Sequence, residues 1–120
     1  MNTFRCLTFL LLLIVLLLPA QAQTKMQAGS WSVNQSVSGF ALDKNNGERA
    51  VTIEIRFENP FIKKPKVILS VTQLDTDKET NLRYNAEVLS ISRDGFTIKF
   101  RTWSDSKVFS ASGYWFAHLE

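Results

Sequence analysis

The residues of this sequence that could act chemically indicate ligand binding more than catalysis. Trp103 follows an alternating segment that starts at Gly95, and it falls on the same polar side as Lys99 and Arg101. An indole beside hydrogen-bonding groups can stack on the apolar face of a sugar ring while the polar groups meet its hydroxyls. The alternative is a tryptophan that packs under a loop or inside a subunit interface. The pattern leaves both interpretations open.

A second candidate is Arg83, which opens a predicted strand directly after the polar loop 75–81. Its planar guanidinium could donate two parallel hydrogen bonds to ligand hydroxyls or to a carbonyl group. It could equally pair with Asp75 or Asp77 and fix the loop. Taken alone, the residue favours this second interpretation.

Patterns typical of catalysis or of metal binding are weak. The only histidine is His118, which has no adjacent nucleophile motif and is interpreted as a strand-end residue. Asp75, Asp77 and Glu79 have a spacing that suggests calcium, but they lack the glycine and the terminal glutamate of an EF-hand loop. The simpler interpretation is that these carboxylates are solvated charges on a loop. We therefore predict a protein that is not an enzyme and that needs no cofactor or metal.

The N-terminus has the pattern of a secretory leader. Residues 7–19 are almost wholly apolar, follow the single basic residue Arg5, and precede the small-x-small sequence 20–22. This predicts a signal peptide over residues 1–22, cleavage after Ala22 and a secreted product with no membrane insertion after cleavage. A retained anchor is the alternative, although the stretch is shorter than the roughly 20 residues of a spanning helix.

The remaining chain, residues 23–120, is long enough for one domain only. Cys6 is the only cysteine and lies within the predicted signal, so neither a disulfide nor a thiolate metal site is expected. A secreted domain without disulfides relies on its own core or on association of subunits. The net charge of +3 is too mild to indicate a nucleic-acid partner.

Beyond a flexible lead-in expected at residues 23–29, the pattern indicates strands rather than helices, because apolar residues alternate with polar ones. A continuous apolar run predicts a central strand, a phase shift at Leu89 predicts a bulge, and Asp94-Gly95 predicts a hairpin turn. Short strands joined by polar turns predict a single all-β domain over residues 30–120, a six-stranded antiparallel β-sandwich. The predicted strands are residues 30–33, 50–57, 66–74 (central), 83–92, 95–103 and 107–118.

Asn34-Gln35-Ser36 is an N-glycosylation sequon. In a secreted protein of a host with that pathway, it predicts an exposed loop and a glycan. Three-residue motifs are common by chance, and in a bacterial host this one has no meaning.

Several segments, in order and at fixed spacing, resemble the H-type lectin domain of invertebrate agglutinins and of the C-terminal domain of discoidins. The similarity spans roughly residues 29–118. It implies a six-stranded antiparallel sandwich that assembles as a homotrimer. It also implies binding of N-acetylgalactosamine or galactose, without calcium, at clefts between protomers. The segments are SVTQLD, NLRY, DGFTIKFRTWSD and VFSASGYWFA, preceded by the strand and turn IEIRFENP.

The resemblance also assigns site residues one by one. The family's binding arginine falls on Arg83, and its stacking tryptophan falls on Trp103. The position after the tryptophan, often histidine in the family, is Ser104 here. A binding tyrosine falls on Phe109, which lacks the hydroxyl.

The family's acidic residue aligns on Asn46. Because the loop 43–49 varies in length, Glu48 or Asp43 could take its place. Each lost hydrogen bond to a sugar hydroxyl costs about 0.5–1.5 kcal/mol. Two such losses would weaken binding by about one to two orders of magnitude, or redirect it to another sugar.

We therefore expect a secreted, trimeric lectin that recognises terminal N-acetylgalactosamine- or galactose-type glycans, as an agglutinin or a cell-adhesion protein does. Several weak sites on one particle would bind a cell surface through multivalency. The alternative is a secreted interaction or structural module with a degenerate sugar site, in which Arg83 and Trp103 serve a subunit interface.

Overall fold

Strands dominate the computed structural model, which describes residues 25–120. The predicted signal peptide over residues 1–22, its cleavage after Ala22 and Cys6 all lie outside the described residues. The strands are β1 (Met26–Asn34), β2 (Arg49–Arg56), β3 (Lys66–Leu69), β4 (Gln73–Thr76), β5 (Tyr84–Leu89), β6 (Gly95–Thr102) and β7 (Val108–His118).

These strands form two sheets in which every pairing is antiparallel. In the first sheet, β7 lies between β1 on one side and β3 followed by β4 on the other. In the second sheet, β6 lies between β2 and β5. The predicted all-β antiparallel sandwich is therefore confirmed.

The core lies between the two sheets and follows the predicted alternation. In β6, Phe96, Ile98 and Phe100 are buried, whereas Lys99 and Arg101 lie on the outer face. Burial of each such side chain contributes about 1.5–3 kcal/mol. The buried apolar residues are Trp31, Val33, Leu42, Val51, Phe57, Phe61, Phe96, Ile98, Phe100, Val108, Ala111, Trp115 and Ala117.

The strand predicted at the centre of a sheet lies at an edge. Residues 66–74 fall in β3 and β4, which pair with β7 on one side only, so the described chain has seven strands where six were predicted. The apolar run was misleading because Val67 and Leu69 turn towards the core while Ile68 is 59% exposed. The central strand of this sheet is β7.

A carbonyl group that turns inward interrupts this edge strand. The Ser70 carbonyl accepts a hydrogen bond from Trp31 Nε1 at 3.1 Å. The carbonyl can approach because the β7 residue beneath it is Gly113, where a Cβ would lie 1.8 Å from the Ser70 oxygen. The interruption between β3 and β4 thus satisfies a buried indole, as buried donors require.

Two further expectations differ from the structure. Part of the lead-in predicted at residues 23–29 is strand, since β1 begins at Met26 and pairs with β7. The sequence did not indicate this strand, because the segment is mostly small and polar, like a loop. The bulge predicted at Leu89 is absent, because β5 keeps a regular register with β6 through that residue. The register shift lies instead in β4, between Asp75 and Thr76.

We predict that Gly113→Ala destabilises the fold. The added methyl group would displace the Ser70 carbonyl and break its bond with Trp31 Nε1. Overpacking and the lost bond should together cost about 2–4 kcal/mol, which lowers the Tm by roughly 8–20 °C in a domain of this size. Thermal unfolding followed by circular dichroism measures the change. Ser38→Ala, at an exposed loop position, should leave the Tm unchanged; an unchanged Tm in Gly113→Ala would contradict this account.

Candidate functional site

Trp103 lies at one end of the second sheet, immediately after β6. The last residue of β6, Thr102, is buried and is paired with both neighbouring strands. If both registers are continued by one residue beyond these pairs, Glu48 and Arg83 are the neighbours of Trp103. The predicted outward direction of Trp103 is confirmed, since its side chain is partly exposed beside Arg101.

Two ion pairs lie around this tryptophan. Arg101 Nη1 lies 3.4 Å from Glu48 Oε1, and the Arg101 guanidinium carbon lies 4.9 Å from the centroid of the Trp103 ring. Arg83 Nη1 donates to Asp105 Oδ1 at 2.7 Å. Because both pairs are partly exposed to solvent, they orient these groups more than they stabilise the fold. We call these five residues the Trp103 cluster.

The partner of Arg83 differs from both aspartates that the sequence suggested. Its guanidinium pairs with Asp105, on the loop that carries Trp103, and not with Asp75 or Asp77. A guanidinium carries five N–H donors. Among residues 25–120, the side chain of Arg83 forms one hydrogen bond, so it has donors left for a ligand.

Two buried hydroxyl groups fix the backbone at Arg83. Ser106 Oγ accepts from the Arg83 N–H at 2.9 Å and donates to the Asn81 carbonyl. Thr102 Oγ1 donates to the Arg83 carbonyl. Both hydroxyl-bearing residues are fully buried, so the end of β6 and the loop that carries the tryptophan together hold the backbone at Arg83. Neither residue was predicted from the sequence.

Beneath the site lies Arg49, which is buried. Arg49 was not predicted from the sequence either, although a signal was present: it is in phase with the inward-facing Val51 of β2. Its acceptors are the main-chain carbonyl oxygens of Gly47 (2.9 Å), Leu42 (3.3 Å), Lys44 (2.9 Å), Ser106 (2.9 Å) and Ser104 (3.0 Å).

Ser104 and Asn46, both predicted site residues, lie on the two loops that Arg49 joins. Ser104 is exposed and adopts a φ of 59°. The side-chain oxygen of Asn46 accepts from Lys107 Nζ at 3.1 Å. Ser104 is thus adjacent to the Trp103 cluster, whereas Asn46 is bound by a lysine outside it.

The two alternative acidic residues have different surroundings. Glu48 belongs to the Trp103 cluster through its ion pair with Arg101. Asp43 Oδ2 accepts from Gln35 Nε2 at 2.8 Å, and its Oδ1 is buried without a hydrogen-bond partner in residues 25–120. Of the two carboxylates, Glu48 is the one beside the tryptophan.

Phe109 lies apart from the other candidates, on the first sheet. It falls at the register shift between β4 and β7, has no paired residue there, and is 37% exposed. The surface pocket beside it has no residue in common with the Trp103 cluster. That pocket is lined by Asn34, Gln35, Asp75, Phe109 and Ser110.

Within residues 25–120, no group of three or more histidine, cysteine, aspartate or glutamate side chains is placed to hold a metal ion. In the loop with the calcium-like spacing, Asp77 Oδ1 accepts from the Glu79 N–H at 2.8 Å. His118 is the last residue of β7 and packs against Phe116, as a strand-end residue. That same part of the chain contains no helix of the length and apolarity that crossing a membrane requires.

Comparison with known proteins identifies the family. The family model of the H-type lectin domain matches residues 52–118, which is more than half of the chain. The chain belongs to the H-type lectin domain family. As a lectin domain, it belongs to a class of carbohydrate-binding modules, and the resemblance seen in the sequence is confirmed.

Relatives of this lectin domain are found in Fuscovulum blasticum and in Dictyostelium discoideum. It is 32% identical over 79 residues to "ATP synthase subunits region ORF 7" of Fuscovulum blasticum, covering 66% of this chain and 69% of that one. It is 35% identical over 71 residues to a discoidin-1 polypeptide of Dictyostelium discoideum, covering 58% of this chain and 28% of that one.

Solved structures agree on the fold. Wild-type discoidin II of Dictyostelium discoideum superposes with a TM-score of 0.67 at 19% identity, covering 85% of this chain and 40% of that one. The lectin domain thus spans less than half the length of the discoidins that it matches. At this identity, the likeness shows the shared fold.

We predict that Ser106→Ala lowers the free energy of unfolding. It would leave the Arg83 N–H and the Asn81 carbonyl without their buried partner, at a cost of about 1–3 kcal/mol. Urea denaturation measures the change. Ser38→Ala, at an exposed loop position, is the control and should match the wild type. Equal unfolding free energies for all three proteins would show that Ser106 does not anchor this loop.

Proposed function

We propose that this lectin domain binds terminal N-acetylgalactosamine- or galactose-type glycans, without calcium, and that it acts as a secreted homotrimer. The observation that carries the proposal is the Trp103 cluster at one end of the sandwich. Arg101, paired with Glu48, lies over the indole, and the pair of Arg83 with Asp105 lies where the neighbouring strand β5 begins. A pyranose has an apolar face and a rim of hydroxyls. An aromatic ring beside N–H donors and carboxylate acceptors is complementary to both features.

Within the proposed site, Trp103 is the stacking platform and Arg83 is the main hydrogen-bond donor. Because Arg101 covers one face of the indole, we propose that the sugar stacks on the other. Asp105 orients Arg83 through the 2.7 Å bond. Ser104 borders the platform, and its small side chain leaves room where the family often has histidine.

We propose that Glu48, and not Asn46, takes the role of the family's acidic residue. The Asn46 side chain is bound by Lys107, whereas Glu48 lies beside the platform in its pair with Arg101. A charged acceptor binds a hydroxyl more strongly than an amide oxygen does. Phe109 offers no hydroxyl, so we expect monosaccharide affinity to be modest and avidity to come from several sites.

Trimer formation is proposed to use the outer face of the first sheet. Between a row containing Lys66 and a row containing Asp75, this face has no charged residue, and Ile68 and Tyr114 are 59% and 63% exposed. Interface centres are depleted in charge and enriched in aromatic residues, and exposed apolar patches mark such surfaces. The face consists of Ala28, Ser30, Ser32, Ile68, Ser70, Gln73, Ser112, Tyr114 and Phe116.

The outer face of the second sheet has the opposite character. It carries Glu54, Arg56, Glu87, Lys99 and Arg101, with a contact of 4.0 Å between Lys99 and Glu87. These charged side chains are well solvated, so the face that carries them does not need to be covered by another protein. The contrast supports association through the first sheet, whose central strand β7 carries Phe109 near its start. A neighbouring protomer could then supply Phe109 to a site between protomers.

A glycan array, run with calcium and with a chelator, tests the sugar specificity. Calcium-independent signal confined to terminal N-acetylgalactosamine or galactose supports the proposal. A blank array from a folded protein rejects it and favours the alternative, a secreted interaction or structural module with a degenerate sugar site, in which Arg83 and Trp103 serve a subunit interface. Secretion is tested separately, by N-terminal sequencing of the protein recovered from the medium, which should begin at Gln23.

We predict that Arg83→Gln weakens glycan binding by about 10- to 100-fold, the cost of a lost hydrogen bond from a charged group. Isothermal titration with the best array ligand measures the affinity. Arg56→Gln, at an exposed position of β2, should bind like the wild type. Sedimentation should show the same assembly for all three proteins. An Arg83→Gln protein that loses its assembly would instead place this arginine in the subunit interface.

We predict that Tyr114→Lys dissociates the trimer, because it introduces a charge at the centre of the uncharged face. Sedimentation velocity should show a monomer for this variant and a trimer for the wild type. Thr52→Lys, at an exposed position on the second sheet, should remain trimeric. A trimer that tolerates Tyr114→Lys would rule out this face, and a monomeric wild type would rule out the trimer.

A further inference from the structure

Arg49 is a buried cation whose hydrogen bonds all go to main-chain carbonyl groups. Its exposed fraction is 8%, and among residues 25–120 it forms no ion pair with a carboxylate. A buried charge is costly unless hydrogen bonds compensate for the lost water. Five carbonyl groups do so here, which indicates that the surrounding backbone is arranged around the guanidinium.

The five carbonyl groups belong to two loops that are distant in sequence. Three lie within residues 42–47, and two lie on the loop 103–107. Main-chain bonds join the same loops: the Gly47 N–H donates to the Ser104 carbonyl, and the Val108 N–H donates to the Leu42 carbonyl, each at 2.9 Å. Arg49 therefore connects the loop before Glu48 to the loop that carries Trp103.

Both loops contain backbone in the left-handed region. Asn45 and Ser104 each have a φ of 59°, and Gly47 has a φ of 84°. Non-glycine residues in this region are strained and persist where the surroundings determine their conformation. The carbonyl groups of Lys44 and Ser104, which accept from Arg49, are adjacent to or part of these strained positions.

We propose that Arg49 is a positioning residue for the glycan site. It touches no sugar, but its guanidinium holds the two loops so that Glu48 and Trp103 lie side by side. Lysine cannot replace it, because a point charge on a flexible stem cannot span five carbonyl groups as a planar fork can. This inference rests on the glycan binding proposed above.

The test is Arg49→Lys in the full protein, compared with Ile98→Val. The control loses one buried methylene group at the centre of β6, which lowers stability without touching either loop. Arg49→Lys should weaken glycan binding at least about tenfold and raise hydrogen exchange at the Gly47 and Val108 amides, with β2 and β6 still protected. Ile98→Val should keep the wild-type affinity and the wild-type exchange at both amides.

Several results would overturn the inference. One is an Arg49→Lys protein with wild-type affinity, whatever its exchange. Another is an Ile98→Val protein that loses affinity equally, since stability alone would then explain the loss. If Arg49→Lys does not fold, Gly47→Ala takes its place. It strains the same loop without a close contact, and unchanged affinity in that variant refutes positioning by the loop.

Failure of the proposed function has a different signature. A wild-type protein that binds no glycan rejects the lectin activity itself. Hydrogen exchange then decides what is left of the inference. Raised exchange at Gly47 and Val108 in Arg49→Lys supports the role of Arg49 in holding the loops. Unchanged exchange at both amides refutes that role.

Discussion

A single buried guanidinium organises the end of the sandwich that carries the candidate site. Arg49 enters the interior in phase with the apolar residues of β2 and there donates to carbonyl groups of two loops. Within residues 25–120 it has no carboxylate partner, so compensation of its buried charge requires the loops to close over it. One of these loops also anchors the backbone at Arg83 through Ser106. The two loops and the start of β5 are therefore held in fixed positions relative to one another.

The outer faces of the two sheets suit different kinds of contact. The second sheet has a charged outer face that ends in an indole between ion pairs, which suits recognition of a polar ligand in water. The first sheet has an outer face of small polar and aromatic residues, which suits contact with another protein surface. For a disulfide-free domain, association through the face of the first sheet would add buried area that one small core lacks.

Local patterns predicted the strands well where one face is buried and the other is wet. β2 and β6 alternate without interruption, and the outward position of Trp103 follows from that alternation. The same reasoning was wrong for residues 66–74, because an apolar run does not reveal that Ile68 lies on the outer face. It also placed the start of β1 too late, since a polar edge strand at Met26 has the composition of a loop.

Strand periodicity and motif order can be read from short segments, and they were enough to predict the all-β class, the family, and Arg83 and Trp103 as candidate site residues. The partners of the site residues became known from the three-dimensional arrangement of the loops. Arg83 pairs with Asp105, Glu48 joins the tryptophan, and Phe109 lies on the other sheet. These outcomes depend on which loops meet in space, and that meeting is set by contacts such as the one between Arg49 and Ser106, 57 residues apart. No local pattern encodes a contact of that separation.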